Sequence, residues 1–549
     1  MRYGWVLLLV LGCDRAPTTP PAIEPALRFD GMGDHTRKVS TKHALAQEYF
    51  DQGLVLAYGF NHQEAAESFR YAATLDPECA MAHWGEAYAL GPYYNLVDPE
   101  ADSIRRALAA LERAKDARAT PVERGLTDAL AKRYADPPPK DRTALNQAYA
   151  DAMGELWRRF PDDDDVGTLY ADALMNLNPW TLWTKDGKAL PRTDKIVAAL
   201  EQVLERNPNH PGAIHLYIHA VEPSPHPERA EAAADRLAGL VPGSAHLVHM
   251  PAHIFVRLGR YRDAVETNRK AVALDRAYFA RKKTDVPARL HFSHAHNNHF
   301  LAWSAMYAGR YEDAVLGCKQ ATAAIPDELR DDVGAAEYLA SIVHVYIRFG
   351  RWEDLLAAPP PPSKHPLALA LHHYGRGVAC ANTGRFDQER REAEAFERFA
   401  AAVPPDTRAR RIRVHDILAI ARQMLAGEAA FLAGEQLRGL NHLRRAVELE
   451  DRLSYQEPSS WMMPTRHALG ALLLDANRVE EAEAVYRKDL ERHAENGWAL
   501  HGLARCLERL RRADEAAAVR RRFATAWEDA TVTIQASCFC ARAASQPAK

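Results

Sequence analysis

Two prolines, Pro208 and Pro242, stand 34 residues apart, and the chain around them falls into blocks of that length with alanine or glycine at the same few places. A unit of this size repeated head to tail cannot bury its apolar face alone. A periodic chain must therefore fold as a stack with one continuous core. Ala, Leu, Arg and Glu dominate the blocks, and the Val/Ile/Thr alternation that marks strands is rare, so the stacked element is helical. One helix start is explicit: Thr120-Pro121-Val122-Glu123 offers a cap residue, proline at the first helical position and a glutamate that closes a capping box.

The block Ala46 to Cys79, with Gly53, Ala65, Phe69, Ala72 and Pro77, closely resembles the tetratricopeptide repeat, whose unit of ~34 residues is a pair of antiparallel helices. Pro211 to Ser244, with Ala230, and Ala245 to Tyr278, with Ala252, Gly259, Ala264 and Ala271, follow the same pattern without a gap between them. After an insertion, Phe279 to His294, expected to be a loop or lid, the pattern resumes over Ala295 to Glu328 through Ala302, Gly309, Ala314, Ala321 and Pro326. Gly350 and Gly384 mark weaker units, and Met463 to Asn496 and Gly497 to Ala530 form a contiguous late pair. Between Gly91 and Asp165 helices are expected but the unit length drifts. The resemblance implies an all-α protein: a right-handed α-solenoid of stacked helix pairs, about 9 to 12 units, whose first helices line a concave groove. The chain then divides into a lipoprotein-type signal segment over 1–13, a flexible Pro/Thr-rich tether over 14–40 and N-terminal repeat-like helices over 41–165. A histidine-rich central segment follows over 166–330, then C-terminal repeat-like helices over 331–530 and a tail over 531–549.

Of the 24 histidines, 11 lie between His210 and His299, and the repeat register gives them positions. The resemblance places groove-facing side chains at positions 2, 5, 9 and 12 of each unit. Those positions hold His215, His219 and Glu222 in one unit, His246, His249 and His253 in the next, and His296 and His299 in the third. Spacings of three and four keep the side chains of each helix on one face. First helices about 10 Å apart bring neighbouring imidazoles within reach of a shared site. Imidazole and carboxylate on helix faces hold a transition metal, with Zn, Cu and Fe all suited to the donors. Eight candidates exceed the need of one ion, which points to two ions or to one ion with supporting and substrate contacts. The H-E-x-x-H pattern of zinc peptidases is absent.

A second polar and aromatic group, Tyr455, Glu457, Trp461 and Arg466, opens a late repeat and is a candidate ligand-binding wall if the superhelix curls. Near the N-terminus Arg2, an apolar stretch Val6 to Leu11 and Gly12-Cys13 resemble a bacterial lipoprotein signal, which implies lipidation at Cys13 and an exported, membrane-anchored protein facing the periplasm or cell exterior. Cys538-Phe539-Cys540 is a pair suited to a soft metal or to a redox-labile disulfide. A net charge of -3 gives no electrostatic reason to expect nucleic acid. The expected partners are a protein or peptide in the groove, no nucleic acid, and the membrane through a lipid anchor only. Three functions fit these observations. The first is an anchored solenoid whose groove binds a transition metal together with a protein, peptide or small ligand. The second is a metal-dependent hydrolase or oxidoreductase using the same cluster, and the third a metal-free interaction scaffold.

Overall fold

The computed structural model describes residues 24–282, 286 and 288–541. Among them are 25 α-helices, two short 3-10 turns and a single two-stranded ribbon, Arg408–Ala409 with Ile412–Arg413. The protein is an all-α right-handed solenoid of stacked helix pairs. The first unit is Ala44–Tyr58 with His62–Leu75, and the late pair of units is Thr465–Asp475 with Val479–Arg492 and Gly497–Arg509 with Ala513–Ala526. The capping box is in place: Thr120 accepts from the Glu123 amide, the Glu123 carboxylate accepts from the Thr120 amide, and helix Pro121–Ala131 follows. Small residues do the work the repeat assigns them, since a Cβ on Gly53 or Gly85 would come within 2.9 or 2.3 Å of the buried Phe69 ring. No described helix is long and apolar enough to cross a membrane, and Cys13 with the signal segment lies outside the described residues.

In the central units the first helices are Pro211–Val221, Ala245–His249 continuing as Pro251–Arg257, and Ala288–Tyr307; their partners are Glu231–Leu240, Tyr261–Lys282 and Tyr311–Ala324. Pro251 removes one amide from the second of these, and Met250 at the junction keeps helical angles of φ -53° and ψ -38°. The insertion expected as a loop is largely helical. Tyr261–Lys282 runs past the end of its unit and Ala288–Tyr307 begins two turns early, so His291 and His294 sit on a helix, bonded to the Ala324 carbonyl and to Asp275. Composition explains the difference: the stretch lacks proline and glycine apart from Pro287, and nothing else interrupts the helix formers on either side.

The superhelix closes on itself. Tyr261 donates to the Ala494 carbonyl (3.0 Å), Trp498 to the Met306 carbonyl (2.8 Å), and the Thr531 amide to the Gly309 carbonyl (3.0 Å), which ties the central units to the last ones. Gly259, at φ +79°, ends one central helix where only glycine is at ease, and its α-carbon lies so close to Ala494 that a Cβ would come within 2.5 Å of that carbonyl oxygen. Residues 24–40 carry no helix, yet where a flexible tether was expected they lie against the body. Arg37 pairs with Asp163 (2.7 Å) and Asp165 (3.2 Å), and Gln52 donates to the Leu27 carbonyl. Buried polar partners on the solenoid, not composition, fix this arm.

Candidate metal centre

Closure puts the histidine-bearing helices inside the molecule. His215, His249 and Glu222 are fully buried, His219 and His253 nearly so, and His246 and His296 are half-buried. The side chains separate into two trios, His215, His219 and His246, and His249, His253 and His296, each gathering three ligand nitrogens within 4.8 Å of one another. In the first trio the His215 and His246 Nε2 atoms are 3.1 Å apart. In the second, His249 Nε2 lies 2.9 Å from His253 Nε2 and 3.1 Å from His296 Nε2. The trios are adjacent, with ring centroids of His219 and His253 5.8 Å apart and those of His246 and His249 6.0 Å apart. One phenylalanine backs each: Phe60 lies against His215, His219 and His246, and Phe300 against His249, His253 and His296.

The other ring nitrogen fixes the tautomers. His215 Nδ1 meets the Tyr58 carbonyl at 2.5 Å, and His249 Nδ1 meets Asn268 Oδ1 at 2.7 Å, while the Asn268 amide nitrogen is used by the Ala264 carbonyl. Both acceptors require Nδ1 to carry the proton. Glu222 does the same for one ring of each trio, taking His219 Nδ1 on Oε1 (2.9 Å) and His253 Nδ1 on Oε2 (2.5 Å). In a neutral ring whose Nδ1 is protonated, Nε2 presents a lone pair. With every ring neutral, four of the six therefore aim Nε2 lone pairs into the shared spaces, and His219 Nε2 has no partner. Lone pairs at 3 Å repel unless a cation stands between them. A donor set with outward Nδ1–H bonds and inward Nε2 is that of a metal site held by its surroundings.

Burial pushes His215, His246, His249 and His296 well below the ordinary imidazole range, and neighbouring histidines add to it. His253 goes the other way. Burial opposes its charge, but Glu222 and then Glu457 raise it to about 10. Glu222, against the cost of burial, is held well below the usual carboxylate range by His253 and His219. Without a metal, the two carboxylates therefore favour the protonated form of His253.

The late repeats complete the wall. Glu457 reaches His253 at 3.3 Å and accepts from Tyr455, whose ring lies under Arg257. Trp461 is packed between His344 and Tyr374, and Arg466 pairs with Asp451, so neither of these joins the histidines. His299 also stands apart: its Nε2 lies 3.2 Å from Met462 Sδ and its ring is edge-on to Tyr338. Glu222 is on the Nδ1 side of its two histidines. The residues not foreseen from sequence are Asn268, the Tyr58 carbonyl, Phe60 and Phe300. Asn268 lies on a second helix, off the groove register, and a backbone carbonyl leaves no mark in sequence. A cavity of about 310 Å³ lined by Phe60, Tyr93, Tyr278, Asn297 and His246 leads to the first trio.

Away from this centre, Asp165 accepts from Tyr58 (2.6 Å), His35 (3.1 Å), His210 (3.2 Å) and Arg37 (3.2 Å), a saturated carboxylate that pins the N-terminal arm. Cys538 and Cys540 are joined as a disulfide, whereas Cys79, Cys318, Cys380 and Cys506 are buried free thiols.

No family profile and no curated protein matches the chain. Among solved structures, a human IFIT1 dimer with m7Gppp-AAAA is similar at 14% identity and a TM-score of 0.31, over 90% of this chain and 92% of that one. A monomeric IFIT1 mutant with Gppp-AAAA gives 14% identity and 0.30 over 89% and 91%, and a human IFIT1 dimer with PPP-AAAA 14% and 0.29 over 87% and 89%. Those structures are complexes with nucleic acid. The expectation of no nucleic acid is withdrawn on its own ground: a net charge of -3 averaged over a whole chain does not exclude a nucleic-acid partner.

Proposed function

We propose that this protein is a buried two-ion metal centre carried by a helical solenoid, with one transition-metal ion on Nε2 of His215, His219 and His246 and a second on Nε2 of His249, His253 and His296. The observation that carries the reading is the tautomer pattern: four Nδ1–H groups are committed to acceptors outside the centre, and the matching Nε2 atoms converge in two groups of three. Zn, Cu and Fe all suit six imidazoles without thiolate. Glu222 acts on both ions by orienting one histidine of each. Protein purified without a histidine tag and loaded separately with each metal should retain two ions per chain by elemental analysis. His215→Ala and His249→Ala should each retain one. Retention of less than one ion per chain with all three metals refutes the proposal.

Metal-dependent catalysis is the second reading, favoured by the count of three protein ligands per ion, which leaves a coordination position for an exogenous molecule. The cavity beside His246 gives that molecule a way in, and the buried Tyr455–Glu457 pair next to His253 supplies an acid–base group. A turnover abolished by His249→Ala distinguishes this from binding alone. We also retain the lipid-anchored, exported location as part of the proposal, on the strength of the motif at Gly12-Cys13. Fatty-acid labelling lost in Cys13→Ser tests it.

A further inference from the structure

The C-terminal cysteine pair lies far along the chain from the histidines, and its surroundings are built. The segment that carries it is held by Ser537, fully buried, which exchanges hydrogen bonds with Tyr486 (2.6 Å), the His467 carbonyl (2.8 Å) and Arg348 (3.0 Å). Phe539 packs onto Gly350, where a Cβ would come within 2.7 Å of its ring. The two cysteines differ in exposure. Cys540 is 1% exposed, whereas Cys538 is partly exposed and lines a cleft of about 250 Å³ together with Arg505, Arg509 and Phe539.

Against the disulfide stands a carboxyl group with no structural reason to be there. Glu428, on helix Val414–Leu432, is 1% exposed, and a carboxylate oxygen of it lies within 4.8 Å of both sulfurs. Its Oε2 accepts from Asn382 at 3.2 Å, but Oε1 has no partner at all. No cation pairs with it among the described residues. Leaving a buried carboxyl oxygen unsatisfied costs about 1–3 kcal/mol, and such groups are retained where they act. Burial pushes Glu428 up to about 7, only partly offset by Asn382, so near neutrality it can hold a proton or give one up.

We propose that Cys538–Cys540 is a thiol–disulfide exchange site that oxidises small thiols entering the cleft, with Glu428 as its acid–base group. A substrate thiolate attacks Cys538 Sγ; the S–S bond breaks, its electron pair goes to Cys540 Sγ, and that sulfur takes the proton of the Glu428 carboxyl. The product is a mixed disulfide on Cys538. A second substrate thiolate attacks the substrate sulfur and expels Cys538 as thiolate, on which the Cys540 amide, 3.1 Å from Sγ in the oxidised state, is positioned to donate. The protein disulfide gains two electrons, and the two substrate thiols become a disulfide after releasing two protons to solvent; solvent returns one proton to Glu428 and one to the Cys538 thiolate, which leaves a dithiol. Protonating the leaving sulfur avoids a buried thiolate, whose charge burial disfavours.

The folded full chain is treated with dithiothreitol at pH 7, alkylated at intervals and read by mass of the C-terminal peptide. The wild-type disulfide should open at least tenfold faster than in Glu428→Gln, which keeps the shape and the Asn382 contact but cannot supply the proton. A disulfide that opens only on denaturation, or at equal rates in the two proteins, overturns the proposal. Single cysteine variants then identify the attacked sulfur, with Cys538→Ser/Cys540→Ser as the blank for the buried thiols. Cys540→Ser should release one equivalent of chromophore from an aromatic disulfide at least tenfold faster than Cys538→Ser releases it. Equal reactivity of the two overturns the assignment of Cys538.

Discussion

Glu222→Gln is the sharpest probe of the centre, because one carboxylate serves both trios. Its two oxygens accept one Nδ1–H each, from His219 at 2.9 Å and from His253 at 2.5 Å. A glutamine of the same shape has one acceptor oxygen, and its amide nitrogen would confront the other Nδ1–H donor to donor. One histidine must turn or change tautomer, and the other trades a charge-assisted bond for a neutral one. Losing such an orienting partner weakens metal binding about 10–100-fold, or about 1.4–2.8 kcal/mol per ion at about 1.4 kcal/mol per tenfold. Both ions should weaken together while the stoichiometry stays at two. Asn268→Ala is the control, since Asn268 supports His249 alone and should weaken only the second ion. Competitive titration against a chromophoric chelator measures both affinities, and circular dichroism checks the fold. Unchanged affinity at both ions would refute the reasoning. Outright loss of an ion would show that the carboxylate is itself a ligand.

Three further outcomes follow from the packing. Gly212→Ala places a Cβ 2.5 Å from the Tyr58 ring, which cannot retreat because its hydroxyl is bonded to Asp165; thermal unfolding should show a loss of about 1–3 kcal/mol, and the first ion should weaken as the Tyr58 carbonyl leaves His215. Asp165→Ala takes a carboxylate from four donors, including the 9% exposed Arg37, and removal of one partner from a buried pair costs about 3–5 kcal/mol. Limited proteolysis should then cut within residues 24–40, and an arm as resistant as in the wild type would contradict its pinning by Asp165. Glu428 gives the pH dependence. Its carboxyl is raised in the folded chain from 4.5 to about 7, so its contribution is fully present below about pH 4.5 and is lost as pH rises through about 7. Across that window the loss is about 3 kcal/mol, and denaturant titrations at several pH values should show it in the wild type and not in Glu428→Gln.

The sequence made the first helices of the central units readable because register converts spacing into direction. His215 with His219 and His249 with His253 share a helix face at i and i+4 whatever the rest of the chain does, and Thr120 with Glu123 closes its cap within one turn. Such local relations survive from sequence to structure since their geometry is set by the helix alone. What decides the chemistry is not local. Glu222 occupies a groove position like the histidines, and its spacing gives no hint that it would sit behind two rings and not among their Nε2 atoms. That depends on a carboxylate at the end of Pro211–Val221 meeting a ring from Pro251–Arg257, and so on the rise and twist between two units. The displacement of His299 has the same origin. It stands at position 5 of its unit as His249 does, yet Ala288–Tyr307 begins two turns early, and the late segment that closes the superhelix brings Met462 onto its Nε2. Position within a repeat therefore predicts which way a side chain points, while the partner it meets is set by the superhelical closure, through contacts such as Tyr261 with Ala494 that span more than two hundred residues. The same separation explains why Cys538–Cys540 was visible as a pair but Glu428 was not: the acid lies 110 residues before the disulfide, on a helix whose sequence gives it no distinction from any other glutamate.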